Sequence, residues 1–460
     1  MEILDNTAPA ETAQLTFAPV EIGNGAYYRG DCLQIMRQLL DLGFENSIDA
    51  VVTDPPYHLT AGKRGGTGLA SVNTRSPAGR SMIGTGFMGK AWDGGDVAFR
   101  AETWDLVRRL LKPGGHLLGF GGTRTVHRLA VAIEDAGFEI RDRIRYEYSP
   151  ETKFGPLWAS LTDDQRGALL ELLNDQDGLG SEVAWKHATG FPKSVDVSKA
   201  VEKMSLRHSG VKHGAPATAE AARWSGWGSA LKPCYEPIIA ARKPLDGTVA
   251  ETVLQWGTGG INIDGCRVGT GTGKTRTVSY PDIRGGNYGQ GTEAYKERAT
   301  IERTVTDNGR WPGNVIHDGS EEVEAAYAAF GERPGQQGRS SANAASPRTG
   351  GVYGKMGRSD ASMAPRGDTG TASRFYFCAK ACARDRMGKH PTQKPLTLMR
   401  HLCRLVTPPG GVVMDPFAGS GTTLEAALLE GFCALGCELT PDYWGDIEAR
   451  LRRAQSGIAA

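Results

Sequence analysis

The sequence predicts an α/β protein with a Rossmann-like, mostly parallel sheet that is interrupted by a large irregular insertion. Two observations predict it. Apolar runs of strand length alternate with helically spaced apolar residues before residue 150, and do so again after residue 390. Between them lies a long glycine-rich stretch without that alternation. Neither half alone completes a doubly wound sheet, and together they do. A chain of 460 residues is long enough for such a core plus an insertion.

The elements follow in order. Residues 1–22 are polar, acidic and proline-containing, and read as a flexible extension; they lack the basic and apolar regions of a signal peptide. Order is expected from about Gly25, with a short strand at Tyr27 and Tyr28. A helix over 33–42 is marked by Leu33, Met36, Leu39 and Leu40. Residues 47–53 (SIDAVVT) are rich in β-branched side chains and stop at Pro55-Pro56, as a buried strand does. A glycine-rich loop spans 58–95. A helix over 99–111 is closed by Lys112-Pro113-Gly114-Gly115. A strand at 116–120, a helix at 126–137 and a strand at 138–148 complete the first half, 23–150.

Residues 151–386 form the insertion, with one strand at 236–242 and a stretch, 331–373, poor in large apolar residues and expected to be flexible. The second half, 387–456, holds a helix at 396–405, a strand at 411–414, a helix at 424–429, a strand at 433–439 and a helix at 443–453.

Two motifs carry chemistry. After the strand at 411–414 comes Asp415-Pro416-Phe417-Ala418-Gly419-Ser420-Gly421-Thr422-Thr423, and Glu438 ends the next strand. A strand, a Gly-x-Gly turn and a helix make a nucleotide-binding corner, and a carboxylate one strand over can accept both ribose hydroxyls. No third glycine stands at dinucleotide spacing, which suits an adenosine ligand without pyrophosphate. The other motif is Asp54-Pro55-Pro56-Tyr57. Its prolines stiffen the backbone and remove two donors, leaving the Asp54 carboxylate and the Pro55 carbonyl as an acceptor pair beside an aromatic face. Such a pair suits an amino group on a heteroaromatic ring. Two acceptors hold its hydrogens and draw the nitrogen lone pair out of conjugation, ready for in-line attack on a sulfonium methyl.

Taken together, TDPPY (53–57) and DPFAGSGTT (415–423) resemble the amino-directed DNA methyltransferases. Their order resembles the permuted beta class, of bacterial and phage type. RGDCLQIMRQL, LLKPGGHLLGFGG and HPTQKPLTLMRHL resemble further segments of that class. The resemblance implies an S-adenosylmethionine-dependent methyltransferase fold with a seven-stranded, mostly parallel sheet and one antiparallel strand. It implies that Asp54, Pro55, Pro56 and Tyr57 are catalytic. It implies that Asp415, Phe417, Gly419, Ser420, Gly421 and Thr422 form the cofactor loop, that Glu438 holds the ribose and that Asp31 faces the adenine. Thr392 and Lys394 would cover the methionine end, with Lys394 paired to its carboxylate. Asp at position 54 resembles adenine-N6 enzymes, with cytosine-N4 as the alternative. A DNA-binding protein that keeps the fold without catalysis is a more distant one.

Segments of the insertion, among them LKPCYEPIIAARKPL, GTGGINIDGCRV and RWPGNVIHDGSEEV, resemble the target-recognition region of site-specific DNA methyltransferases, so duplex DNA is the expected partner. Between Lys380 and Arg404 seven basic residues face one acid, Asp385, and Trp224, Trp227, Trp256 and Trp311 lie among glycines and basic residues. A homodimer and a cognate restriction endonuclease are compatible with the resemblance. Eight scattered cysteines read as reduced thiols of a cytoplasmic protein, in a bacterial cell or encoded by a phage, with no metal site and no membrane span expected. Carbon-5 cytosine chemistry is disfavoured, since Pro233-Cys234 is followed by Tyr235 rather than Gln. The run from Gly269 to Thr275 looks like a phosphate-binding loop, but position 268 is Val where that motif needs Gly.

Overall fold

The computed structural model describes residues 16–57, 96–142, 182–186, 197–198, 200–201, 219–227, 235–269, 275–281, 300–306, 308–319, 321–334, 369–379, 385 and 393–457. It divides into two units, one made of Met1–Asn262, Asn314–Val323 and Cys378–Ala460, the other of Ile263–Gly313 and Glu324–Phe377.

The larger unit opens with an antiparallel hairpin of β1 (Pro19–Ile22) and β2 (Gly25–Arg29). Order therefore begins ahead of Gly25, inside the segment expected to be a flexible extension. Phe17 explains part of this: its backbone N–H and C=O both bond to the Gln38 side chain at 2.8 Å. Helix α1 (Cys32–Asp41) follows, with Leu33, Ile35, Met36 and Leu39 on its buried face. All six residues of β3 (Ile48–Thr53) are buried, as expected of a strand covered on both faces.

Helix α2 (Ala101–Leu110) runs directly into β4 (Leu111–Phe120). The Lys-Pro-Gly-Gly stretch thus lies inside the strand as an irregularity: Ile48 pairs with Leu111, and the ladder resumes only at Ala50 and His116. Helix α3 (Val126–Asp135) and the short β5 (Glu139–Ile140) end the first half. The strand expected over 138–148 is confined to β5, and 143–148 lie outside the described residues.

Two strands from the expected insertion join this sheet, β6 (Glu182–Lys186) and β7 (Tyr235–Arg242). Of the 151–386 stretch expected as an insertion, the part through Asn262, including helix α4 (Val249–Trp256), lies in the larger unit. Apolar alternation in EPIIAAR buries Ile238, Ile239 and Ala241 in the common core. Beyond β8 (Val315–His317) come α5 (Leu396–Val406), β9 (Val412–Asp415), α6 (Thr422–Leu429), β10 (Cys433–Glu438) and α7 (Pro441–Gln455).

Among the described residues the sheet has eleven strands: its path runs β1-β2-β10-β9-β3-β4-β7-β6-β8 and one further short strand, and β5 also pairs with β7. Neighbours from β2 through β4 are parallel. β7 is antiparallel to β4, and both β5 and β6 pair antiparallel with β7. β2, β10, β9, β3, β4 and β5 therefore run one way and β7 the other, the seven-stranded pattern the resemblance implies; β1, β6 and β8 are additions. Ile48, Val51, Leu117, Met414 and Leu435 sit at its centre, each fully or nearly fully buried. Burial on this scale contributes about 1.5–3 kcal/mol per side chain.

A buried ion pair closes the second half. Arg450 and Glu425, both without solvent exposure, meet at 2.6 Å, and Arg453 joins Glu425 at 2.5 Å. Arg450 also donates to the Asp385 carbonyl at 2.8 Å and to Gln393 Oε1 at 3.1 Å, which fixes the chain just ahead of α5 onto α7.

The smaller unit contains an antiparallel hairpin of 275–281 with 300–306 and a bridge between Val268 and Arg310. Thr275 opens a strand, whereas a phosphate-binding loop would open a helix there. Trp311 is exposed, with the Arg267 guanidinium 5.9 Å from its ring centre. Among the described residues no helix is long and apolar enough to cross a membrane.

Candidate active site

The parallel strands deliver their carboxyl ends to one edge of the sheet, the edge where open α/β sheets bind ligands. In spatial order the chain there presents Asp31 after β2, Glu438 at the end of β10, Asp415 at the end of β9, Asp54 after β3 and Gly121-Gly122 after β4. β7 runs the other way, so its first residues arrive at the same edge. Ile238 pairs with Phe120, and Gly121 N–H donates to the Pro237 carbonyl at 2.9 Å. Glu236 is thereby placed among the motif residues.

The two motifs touch. Thr53 Oγ1 donates to Asp415 Oδ1 at 2.6 Å in the buried sheet, across 362 residues of sequence. The same oxygen accepts from Phe417 N–H at 3.1 Å. Burial pushes the Asp415 carboxyl up to about 6, against the pull of the Thr423 and Thr53 hydroxyls and the Phe417 amide. Asp415 thus ties its loop to β3.

Asp54 is clamped from both sides. Its Oδ1 accepts from the Tyr57 hydroxyl at 2.7 Å, and its Oδ2 lies 2.9 Å from Lys394 Nζ. Lys394, buried, also meets Glu236 Oε2 at 2.9 Å and donates to the Tyr57 hydroxyl at 3.1 Å. Its ammonium is 5.4 Å from the Tyr57 ring centre and so lies off the oxygen end of that ring; it is 4.7 Å from the Phe120 ring centre. Tyr57 is further held by Thr125, whose hydroxyl donates to its carbonyl at 3.1 Å. Burial raises the Asp54 carboxyl above the ordinary range, Lys394 opposes that shift, and Glu236 adds to it. Burial works against the Lys394 ammonium, but Asp54 and Glu236 outweigh it and hold the pKa above the usual lysine value.

In the glycine loop, Gly419 and Gly421 adopt left-handed φ of 53° and 83°. At Gly421 the need is packing: a Cβ would come within 3.1 Å of Ile447 Cα on α7. Glu438 accepts from Gly419 N–H and Thr440 N–H, each at 2.7 Å. Burial still pushes its carboxyl up to about 7 despite those amides. Ser420 and Thr422 are buried with hydroxyls 3.4 Å apart, and the Phe417 ring packs 6.4 Å from Trp104.

Asp31 serves as the N-cap of α1, accepting from Leu33 N–H at 3.0 Å and Gln34 N–H at 3.1 Å. Pro55 is buried and Pro56 half-buried. Thr392 lies outside the described residues. Lys394, expected at the cofactor's methionine end, is engaged by Asp54 and Glu236. Glu236 and Thr53 went unmarked in the sequence. Trp224 and Trp227 are exposed and meet edge to face at 5.2 Å, while Trp256 is half-buried and donates to Asp246 at 3.0 Å.

Comparison with known proteins bears on this arrangement. The chain is 40% identical over 68 residues to the type II methyltransferase M.ScaI of Streptomyces caespitosus, covering 15% of this chain and 22% of that one. It is 41% identical over 69 residues to the DNA adenine methyltransferase YhdJ of Escherichia coli, covering 15% and 22%. A shorter match, 62% over 40 residues, joins it to M.HindIII of Haemophilus influenzae, covering 9% and 13%. These matches span less than a third of the curated relatives' own lengths. Among solved structures, the cytosine-N4-specific PvuII DNA methyltransferase aligns with a TM-score of 0.38 at 13% identity, covering 95% of this chain and 94% of that one. The M1.HpyAVI complex with SAM aligns at 0.36 and 13%, covering 92% and 98%. The family model described as DNA methylase, for N6 and N4 enzymes, matches residues 48–203 and 284–448, more than half of the sequence and both motif-bearing halves. The chain belongs to the N6/N4 DNA methylase family.

Proposed function

We propose that this chain transfers a methyl group from S-adenosylmethionine to the exocyclic N6 of adenine in duplex DNA, by direct in-line transfer to a base rotated out of the helix. The observation that carries the reading is the Thr53–Asp415 hydrogen bond of 2.6 Å, which sets the amino-binding motif and the nucleotide loop side by side on adjacent parallel strands.

The residues at this edge fit the cofactor. Glu438 is a buried carboxylate held by two amides and the Thr440 hydroxyl and still pushed up to about 7, so a further hydroxyl donor would stabilise its ionised form. When bound, S-adenosylmethionine supplies an electrophilic methyl on a sulfonium. Glu438 would hold its ribose, and Asp31, following β2 beside β10, would face its adenine. Phe417 through Thr422 would line the loop.

Asp54 and the Pro55 carbonyl accept the two amino hydrogens, and the Asp54 carboxylate is the acceptor for the proton released as the nitrogen is methylated. Tyr57, fixed by its bonds to Asp54 and Thr125, presents its ring to the flipped base. Exposed Trp311, flanked by Arg267 in the smaller unit, suits contact with nucleic acid. Similarity to the DNA adenine methyltransferase YhdJ and Asp at position 54 favour adenine over cytosine-N4.

The test uses purified protein, methyl-labelled S-adenosylmethionine and genomic duplex DNA, followed by digestion and chromatography of nucleosides. Label in N6-methyldeoxyadenosine is expected. Label in N4-methyldeoxycytidine would replace adenine by the cytosine-N4 reading. DNA that is bound yet unlabelled would point to a catalytically silent binding protein.

A further inference from the structure

Lys394 has three ammonium hydrogens and three acceptors around it: Asp54 Oδ2 at 2.9 Å, Glu236 Oε2 at 2.9 Å and the Tyr57 hydroxyl at 3.1 Å. They come from two elements. Asp54 and Tyr57 follow β3, Glu236 stands on the antiparallel β7, and Lys394 itself precedes α5. The ammonium is buried and close to the Phe120 ring, so its position is fixed by these acceptors rather than by water. Asp54 in turn has one oxygen on Tyr57 and the other on Lys394. Its orientation therefore depends on where Lys394 is held.

We propose that Glu236 is a positioning residue for the methyl-transfer site, acting through Lys394 to orient the Asp54 carboxylate. The inference rests on the methyltransferase reading given above. It gives Lys394 a role as counter-ion to the amino-accepting carboxylate, in place of pairing with the cofactor's own carboxylate. Without Glu236 one ammonium hydrogen loses its acceptor, and Lys394 is free to shift by the fraction of an ångström that misaligns Asp54. Among the described residues, the charged and titratable groups facing Asp54 are Lys394, Glu236, Tyr57 and, across the strand pair, Asp415; three of these are acids and Lys394 is a cation.

The experiment compares Glu236→Ala, Glu236→Gln, Lys394→Met and the Glu236→Ala/Lys394→Met double variant in the full chain. It measures single-turnover transfer to DNA at saturating cofactor, the S-adenosylmethionine dissociation constant by calorimetry, and the pH profile of the rate. Glu236→Ala should slow transfer about ten- to a hundredfold with cofactor affinity within about twofold of the parent. Glu236→Gln keeps an acceptor for Lys394 and should recover most of that loss, which also guards against a folding defect in the alanine variant. Lys394→Met should leave cofactor affinity intact and move the acid limb of the rate profile to higher pH, because Asp54 loses its cation. The double variant should be no slower than Lys394→Met alone, since both changes break one chain of contacts. Rates for Glu236→Ala within about twofold of the parent, or penalties that multiply in the double variant, would overturn the proposal. So would Lys394→Met weakening the cofactor about tenfold or more, which would return Lys394 to the cofactor's carboxylate. Transfer that survives Asp54→Ala would defeat the underlying reaction instead, and so tells the two failures apart.

Discussion

Adjacent strands β3 and β9 end in acids of opposite design. Asp54 is matched by a buried ammonium. Asp415, and Glu438 one strand further on, are held by hydroxyls and amides, with burial pushing them up to about 6 and about 7. A carboxylate that is to bind amino hydrogens and take up a proton works best ionised, and at Asp54 a cation at 2.9 Å opposes the upward push of burial, which still prevails. Carboxylates that organise a loop or accept ribose hydroxyls need neutral donors, and an ammonium there would fill the sites a ligand uses. The edge of the sheet is thus divided between an acceptor prepared by charge and a cradle prepared by hydrogen bonds.

Four measurements break or sharpen this contrast. The largest effect is expected from Asp54→Ala, which should lower transfer by about 10³-fold or more, since acceptor and clamp are lost together. Next, Glu438→Ala should weaken cofactor binding by about ten- to a hundredfold, equivalent to one or two charge-assisted hydrogen bonds, while transfer partly recovers at high cofactor concentration. Calorimetry reads the first number and rate against concentration the second. If Glu438→Ala left affinity unchanged, the cradle would not be the cofactor's.

A smaller effect is expected at Thr53→Val. It removes the Thr53 donor from the buried Asp415 carboxylate, and should cost about 1–3 kcal/mol in denaturant unfolding. The loss should fall where β3 meets β9, seen as faster amide exchange at those strand ends.

The gentlest probe is pH. The folded-state values of Asp415 and Glu438 lie above their ordinary 3.8 and 4.5. Below those ordinary values both groups are protonated whether the chain is folded or not. From those ordinary values up to about 6 and about 7, the folded chain holds protons that the unfolded chain has already released. The contribution of the two carboxyls to stability is therefore present in acid and lost across that window. A ligand that hydrogen-bonds the ionised form of Glu438 should bind more tightly as pH rises through about 7, with proton release. Glu438→Gln should flatten that dependence. Affinity that falls over the same range in the parent would contradict the assignment.

Much of this arrangement was legible in the sequence, and the parts that were not share a cause. IDAVVT and EPIIAAR announce strands because β-branched and apolar residues run without interruption up to a proline or a basic stop. Both motifs are local, so their residues could be named in advance. Direction in space is not local. Residues 236–242 were expected to be a strand, but only the antiparallel pairing of β7 with β4 brings Glu236 to the edge where Asp54 ends. Lys394 was singled out, but its contacts with Asp54 and Glu236 were hidden for the same reason. Thr53 gave no sign of its partner, which lies 362 residues away. Asp31 did carry a readable second signal: an aspartate just ahead of a helically spaced apolar run is a strong N-cap candidate.

The central claim is that the edge separates binding the cofactor from accepting the amino group. Asp54→Ala protein, titrated with S-adenosylmethionine in a calorimeter and then mixed with DNA under single-turnover conditions, tests it most directly. Binding within about twofold of the parent, with no methyl transferred to DNA, is the expected result. Methyl transfer at a rate near the parent's would contradict it.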